Sequence, residues 1–162
     1  MTKNQKELRE FLQLLARCHA GNGPKPKGWR YHGPADLLVR EGQFFQPGER
    51  ATKWKRSEAH ACFRNAAMYA MEHGLRYVEG YASGIIPVHH GWCVDRAGNV
   101  VEVTWAEMGS LYYGIEFKPM LVCNGAVLFN EENVSIYKNF APGQKSEKKS
   151  LRMQPKGAQQ NA

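Results

Sequence analysis

The chain has 162 residues, 43% hydrophobic and 11% aromatic, which suits one domain with a modest core and leaves too little for two. No run approaches the roughly 18 apolar residues of a membrane-crossing helix. The opening Met1-Thr2-Lys3-Asn4-Gln5-Lys6 also lacks the apolar stretch of a secretory signal, so a soluble, cytoplasmic protein without membrane contact is expected. The formal charge is +7, from 22 Lys plus Arg against 15 Asp plus Glu.

Leu8, Phe11, Leu12, Leu15 and Cys18 recur at helical spacing within residues 3–19, predicting an amphipathic helix that stops near Gly21, with Pro24 and Pro26 beyond. Residues 21–33 are rich in Gly, Pro and Lys and read as a loop. Pro34 to Arg40 reads as a short helix with proline in its first turn. Residues 42–56, with Gly42, Pro47, Gly48 and several charges, read as a long connection that leads to Cys62 and lines a substrate cleft. A central helix is predicted from about Ser57 to His73, stopped by Gly74, with Phe63, Ala66, Ala67, Ala70 and Met71 as its packing face. Its small residues allow a sheet to approach closely. A cap at Ser57 places Cys62 in the second turn; a start nearer His60 places it in the first.

Beyond Gly74 the texture becomes β. Leu75–Ala82, Val88–Asp95 and Val100–Thr104 are strand-like, and Arg96-Ala97-Gly98-Asn99 is a hairpin signal. Tyr112–Phe117 reads as a fourth strand and Val134–Tyr137 as a fifth, while Pro119–Cys123 reads as a helical turn or loop. The predicted class is α+β: N-terminal helices, then a central helix packed on an antiparallel sheet, in a single domain over residues 1–140. Residues 141–162 carry little to bury and form a basic tail expected to be disordered. Lys145, Lys148, Lys149, Arg152 and Lys156 lie there, facing only Glu147, and a second basic cluster is Arg50, Lys53, Lys55 and Arg56. Such segments suit weak nucleic-acid or polyanion binding, although solvated charge is their commoner role.

The chemistry-bearing residues fall in one order: Cys62 near a helix start, His90 in His90-Gly91-Trp92, and Glu102 in Val101-Glu102-Val103-Thr104. A thiol is mostly protonated at neutral pH, and a neighbouring imidazole or a helix N-terminus favours the nucleophilic thiolate. A carboxylate beyond the imidazole fixes its tautomer. His90 and Trp92 share one strand face and His89 and Cys93 the other; whether Glu102 shares the face of His90 depends on the hairpin register. Glu79 is a reserve for the orienting acid, with a surface position as its simpler reading. The backbone amide of Cys62 and the Trp54 indole are candidate oxyanion donors. Trp92 and Trp105 read as core or cleft wall.

These segments resemble the transglutaminase-like proteins of the papain-like superfamily, in which a cysteine opens a helix and is followed by His-Ala-Trp and Asp-Pro-Thr strands. The resemblance spans roughly residues 55–117. It implies a papain-like or transglutaminase-like core with Cys62 as nucleophile, His90 as base and Glu102 as orienting acid. Glu102 stands where the family usually has Asp, Val103 where it has Pro, and the spacing from cysteine to histidine is compact. The expected activity is cleavage or transfer at an amide or acyl bond of a protein, peptide or other acyl substrate, without a cofactor.

Two other readings compete. Cys62 could be structural in a non-enzymatic module whose basic segments bind nucleic acid or an acidic protein. A zinc site could draw on His89, His90 and Cys93 with Cys62 or His60. No CxxC or HxxxH pair supports that site and the two histidines face opposite ways, so no metal is expected. The four cysteines, Cys18, Cys62, Cys93 and Cys123, are irregularly spaced and are expected to be free thiols.

Overall fold

A computed structural model describes residues 1–51, 61–119, 126–129 and 135–140. Helix α1 spans Lys3–Gly21 and α2 spans Pro34–Glu41. Thr2 and Gln5 form a capping box at the start of α1: the Gln5 amide donates to Thr2 Oγ1 (3.3 Å) and the Thr2 amide donates to Gln5 Oε1 (2.9 Å). Only Leu8 and Leu12 of the predicted apolar stripe are fully buried; Leu15 is half-buried, and Phe11 and Cys18 stay exposed. In α2, Pro34 opens the helix and Asp36 accepts the amide of His32.

Where a connection was expected, strand β1 runs over Gln43–Arg50. Pro47 and Gly48 suggest a loop, but they sit at an irregularity in the strand, where the register shifts between Pro47 and Glu49. Helix α3 then spans Cys62–His73, followed by β2 (Arg76–Ser83), β3 (Pro87–Val94), β4 (Asn99–Glu102) and β5 (Leu111–Phe117). The β3–β4 turn is the predicted one: Gly98 has φ of 96°, and the Asp95 amide donates to the Asn99 carbonyl at 2.9 Å. The last element, α4 (Ser135–Asn139), replaces the strand expected at Val134–Tyr137. The window is only four residues wide, too short for its apolar positions to separate a strand period from a helical turn.

The fold is mixed α and β, as expected, but the sheet is a closed five-stranded barrel in the order β1-β4-β3-β2-β5, with β5 returning to β1. Four pairings are antiparallel; β1 and β4 run parallel, so the expected all-antiparallel sheet is corrected at that seam. Closure removes both sheet edges.

Alternation along the strands divides the apolar residues into two cores. Phe45, Val78, Ala82, Trp92, Val94, Val100 and Tyr112 fill the inside of the barrel. The outward set, including Tyr77, Tyr81, Cys93, Val101, Tyr113 and Ile115, joins Leu8, Leu12, Leu37, Leu38, Ala66, Ala67 and Ala70 from the helices. Helix α3 lies mainly on β3, and the Cys93 thiol donates to the Ala66 carbonyl at 3.1 Å. Ala66, Ala67 and Ala70 face the barrel as predicted, whereas Met71 is 52% exposed and Asn65 takes a buried position instead. Among the described residues no helix is long and apolar enough to cross a membrane. The tail at 141–162, the basic residues Lys53, Lys55 and Arg56, and most of the Pro119–Cys123 segment lie outside the described residues.

Candidate active site

Helix α3 begins at Cys62, with Ala61 as its non-helical cap (φ −98°, ψ 44°), so the start near Ser57 is corrected. The helical ladder opens with the Asn65 amide donating to the Ala61 carbonyl. The amides of the first turn, Cys62 included, therefore have no acceptor within the helix and concentrate positive potential at the sulfur. His73 and then Gly74, in the left-handed conformation at φ 65°, end the helix where the sequence placed its stop.

What brings this helix start to His90 is the residue beside the histidine. A Cβ built on Gly91 would lie 2.9 Å from Phe63 Cα and 3.3 Å from the Cys62 carbonyl oxygen. No side chain larger than hydrogen fits there, so α3 seats directly on the β3 backbone.

The hairpin register, open in the sequence, is fixed by the pairs Cys93↔Val101 and Val94↔Val100. Continued toward His90, it sets Trp92 opposite Glu102 and His90 opposite Thr104, so His90 and Glu102 share the inward face. The β3–β4 ladder stops at Cys93↔Val101; beyond it Glu102 pairs with Arg50 of β1, and its carbonyl accepts the Ala51 amide. The strands part at the level where the imidazole and carboxylate meet.

His90 and Glu102 are both 1% exposed, and His90 Nε2 lies 2.9 Å from Glu102 Oε2. The Cys62 side chain acts on the same imidazole and raises its pKa, while Glu102 takes Nε2. Three more donors hold the carboxylate. The amides of Thr104 (2.8 Å) and Trp105 (3.0 Å) reach Oε1, and the Tyr112 hydroxyl donates to Oε2 at 2.9 Å. Tyr112 is itself set by the Gly109 amide, which donates to its oxygen. Trp105 stacks on the imidazole with ring centroids 4.1 Å apart and 24° between planes. The Asn65 amide group reaches Thr104 Oγ1 at 3.5 Å, linking α3 to the same loop.

The electrostatics follow from these contacts. Burial alone would depress the His90 pKa, but the hydrogen bonds to Cys62 and Glu102 and their charges outweigh it and lift the imidazole to about 9. Burial likewise pushes Glu102 up, yet the hydrogen bond and charge of His90 and the Trp105 and Thr104 amides hold it below its ordinary value. The pair is thus suited to an ionised carboxylate beside an imidazolium. Cys62 is half-buried, whereas Cys93 is fully buried and its thiol is pushed above the usual range by desolvation.

The other candidates separate from this group. Glu79 faces the outer side of β2, away from His90, and is buried rather than at the surface. Its carboxylate accepts the amides of Val127 (2.6 Å) and Leu128 (2.8 Å) and the Tyr77 hydroxyl (2.8 Å). His89 also faces outward, against Tyr81 and Phe129. Among the described residues no three His, Cys, Asp or Glu side chains converge as a metal site. Cys18, Cys62 and Cys93 are free thiols. Cys123, His60 and the candidate oxyanion donor Trp54 lie outside the described residues. Trp92 is interior core and Trp105 walls the imidazole.

Sequence reading missed Tyr112, Asn65 and the paired amides of Thr104 and Trp105. A buried asparagine three residues after the cysteine, inside an alanine-rich run, was the available signal for Asn65; backbone donors leave none. Comparison with protein-family models, with curated proteins and with solved structures yields no match.

Proposed function

We propose that the chain is a thiol-dependent hydrolase or acyltransferase acting on an amide or related acyl bond, with Cys62 as nucleophile, His90 as base and Glu102 as orienting acid. The observation that carries the reading is the imidazole held between a thiol at a helix N-terminus and a carboxylate with four hydrogen-bond partners. A purely structural cysteine has no need of that arrangement. A cysteine opening a helix, with histidine and acid following in chain order on strands, is what favours kinship with the papain-like and transglutaminase-like proteins.

In the first half-reaction the Cys62 thiolate attacks the carbonyl carbon, forming the carbon–sulfur bond. The oxyanion develops beside the first-turn amides of α3, of which the Cys62 N–H is the nearest by sequence. The protonated His90 gives its proton to the leaving amine or thiol as the acyl bond breaks. In the second half-reaction His90 takes a proton from water or an acceptor amine, which attacks the thioester and returns the thiolate. Glu102 remains ionised throughout, holding the ring and stabilising the imidazolium.

Two probes test this. Iodoacetamide at about pH 6 should alkylate Cys62 well before Cys18, since only a thiolate reacts quickly at that pH. p-Nitrophenyl acetate should give a burst of nitrophenolate with acetyl on Cys62, and Cys62→Ala should abolish the burst while circular dichroism is unchanged. Labelling of Cys62 no faster than Cys18 would refute the proposal and leave the basic binding module as the better reading.

A further inference from the structure

Cys62 and His90 stand on two elements, α3 and β3, which meet at Gly91 with Phe63 and the Cys62 carbonyl against the glycine. Helix α3 meets β3 there through Phe63, so small displacements of the helix start translate directly into sulfur–nitrogen distance. A third group bears on both elements. The Phe129 ring stacks on His89, with centroids 3.8 Å apart and 16° between planes, and lies 5.9 Å from the Phe63 ring. His89 precedes the base and Phe63 follows the nucleophile, so one ring spans the chain neighbours of both reacting groups.

The clamp is itself fixed. The Val127 and Leu128 amides donate to the Glu79 carboxylate, and the Leu128 carbonyl accepts the Tyr137 hydroxyl at 2.8 Å. Glu79 lies directly across the ladder from Gly91, so the anchor and the point of helix approach are at one level of the sheet. The Tyr81 hydroxyl lies 2.7 Å from His89 Nε2, and the Tyr81 ring meets His89 and Phe129 edge-on, which fixes the surface Phe129 stacks on. Val127 and Leu128 are buried, while Phe129 is only half-buried and His89 is exposed. The ring therefore adds little to the core for its size.

We propose that Phe129 is a positioning residue: held by the Glu79-anchored turn, it bridges Phe63 and His89 and so sets the separation of Cys62 from His90. This rests on the thiolate–imidazolium reading of the site. Its consequence is that removing the ring moves the sulfur away from the imidazole and slows the reaction of Cys62 without removing any reacting group.

The test is the pH profile of iodoacetamide alkylation on the full chain, with Cys62 and Cys18 quantified separately by peptide mass spectrometry. Phe129→Ala should slow alkylation of Cys62 about tenfold at about pH 6 and leave Cys18 unchanged. Phe129→Tyr, which keeps the flat ring, should restore the wild-type profile. Should Phe129→Ala fail to fold, Phe129→Leu decides, since it keeps apolar bulk without the stacking face and should slow Cys62 in the same sense. A wild-type profile in the folded Ala or Leu variant overturns the clamp while leaving the reactive thiol standing. A wild-type Cys62 that reacts no faster than Cys18 at about pH 6 overturns the thiolate reading and the clamp with it.

Discussion

Glu102 shows how a buried carboxylate keeps its charge. Each oxygen has two hydrogen-bond partners, two backbone amides on Oε1 and the Tyr112 hydroxyl with His90 on Oε2. Glu102→Gln preserves the shape and removes the charge. Its carbonyl oxygen can still accept the Thr104 and Trp105 amides, but its NH2 group then meets His90 Nε2 and Tyr112. The imidazolium loses its counter-charge, so the His90 pKa should drop from about 9 toward its ordinary 6.5. With a weaker cation in the site, alkylation of Cys62 at about pH 6 should slow by about tenfold or more. An NMR titration of the His90 ring alongside the labelling rate checks both; an unmoved midpoint would show that the carboxylate does not govern the base. Buried Cys93 should stay slow in both proteins, as its thiol is pushed up by desolvation and bonded to Ala66.

At the scale of elements, the closest approach in the site is helix on strand at Gly91. Gly91→Ala sets a methyl 2.9 Å from Phe63 Cα, a backbone atom that cannot rotate away. The start of α3 must shift by several tenths of an ångström, with a stability cost of about 1–3 kcal/mol. Because that start carries Cys62, alkylation at about pH 6 should fall by about tenfold, more than the stability loss alone would cause in a protein that is still folded. Urea titration and site-resolved labelling separate the two effects, and a stability loss with full reactivity would mean that the approach at Gly91 does not set the site. The sequence shows the elements that carry the chemistry, since Cys62, His90 and Glu102 lie on segments with clear local signals: alanine-rich helix, alternating strands and a glycine hairpin. It did not show where α3 begins, because Ser57 and His60 are equally plausible starts and only Ala61 leaving helical geometry decides. Nor did it show β1. Pro47 and Gly48 look like loop residues, and a strand that pairs in parallel with β4, about fifty positions later in the chain, leaves no local trace. Barrel closure and the face of Glu102 are similarly non-local, the second fixed only by the Cys93↔Val101 register.

For the whole molecule, the buried titratable groups predict how stability depends on pH. Burial lifts Glu79 from 4.5 to about 7 despite the Val127, Leu128 and Tyr77 hydrogen bonds that favour its charged form. Between those values the folded chain binds more protons than the unfolded one, so Glu79 makes stability fall as pH rises through this interval. His90 acts in the same sense one step higher: its contribution is complete below 6.5 and is lost as pH rises through about 9. Glu102 opposes them at the acid end, since its lowered pKa gives stability that disappears as pH falls through its folded value. The formal charge of +7 complicates a simple scan, because raising the pH also relieves general repulsion among cations. Comparison with Glu79→Gln cancels that background, as the amide stays neutral at every pH and the rest of the surface is shared. The difference in Tm, wild type minus variant, should therefore fall by several degrees between about pH 4.5 and 7 and level off above. A difference that rises over that interval would mean that Glu79 is more acidic when folded, and that its charge is what holds the 126–129 turn. The observed geometry argues the other way: two amides and a phenol solvate the carboxylate, with no cation within hydrogen-bonding reach among the described residues to offset the burial of its charge.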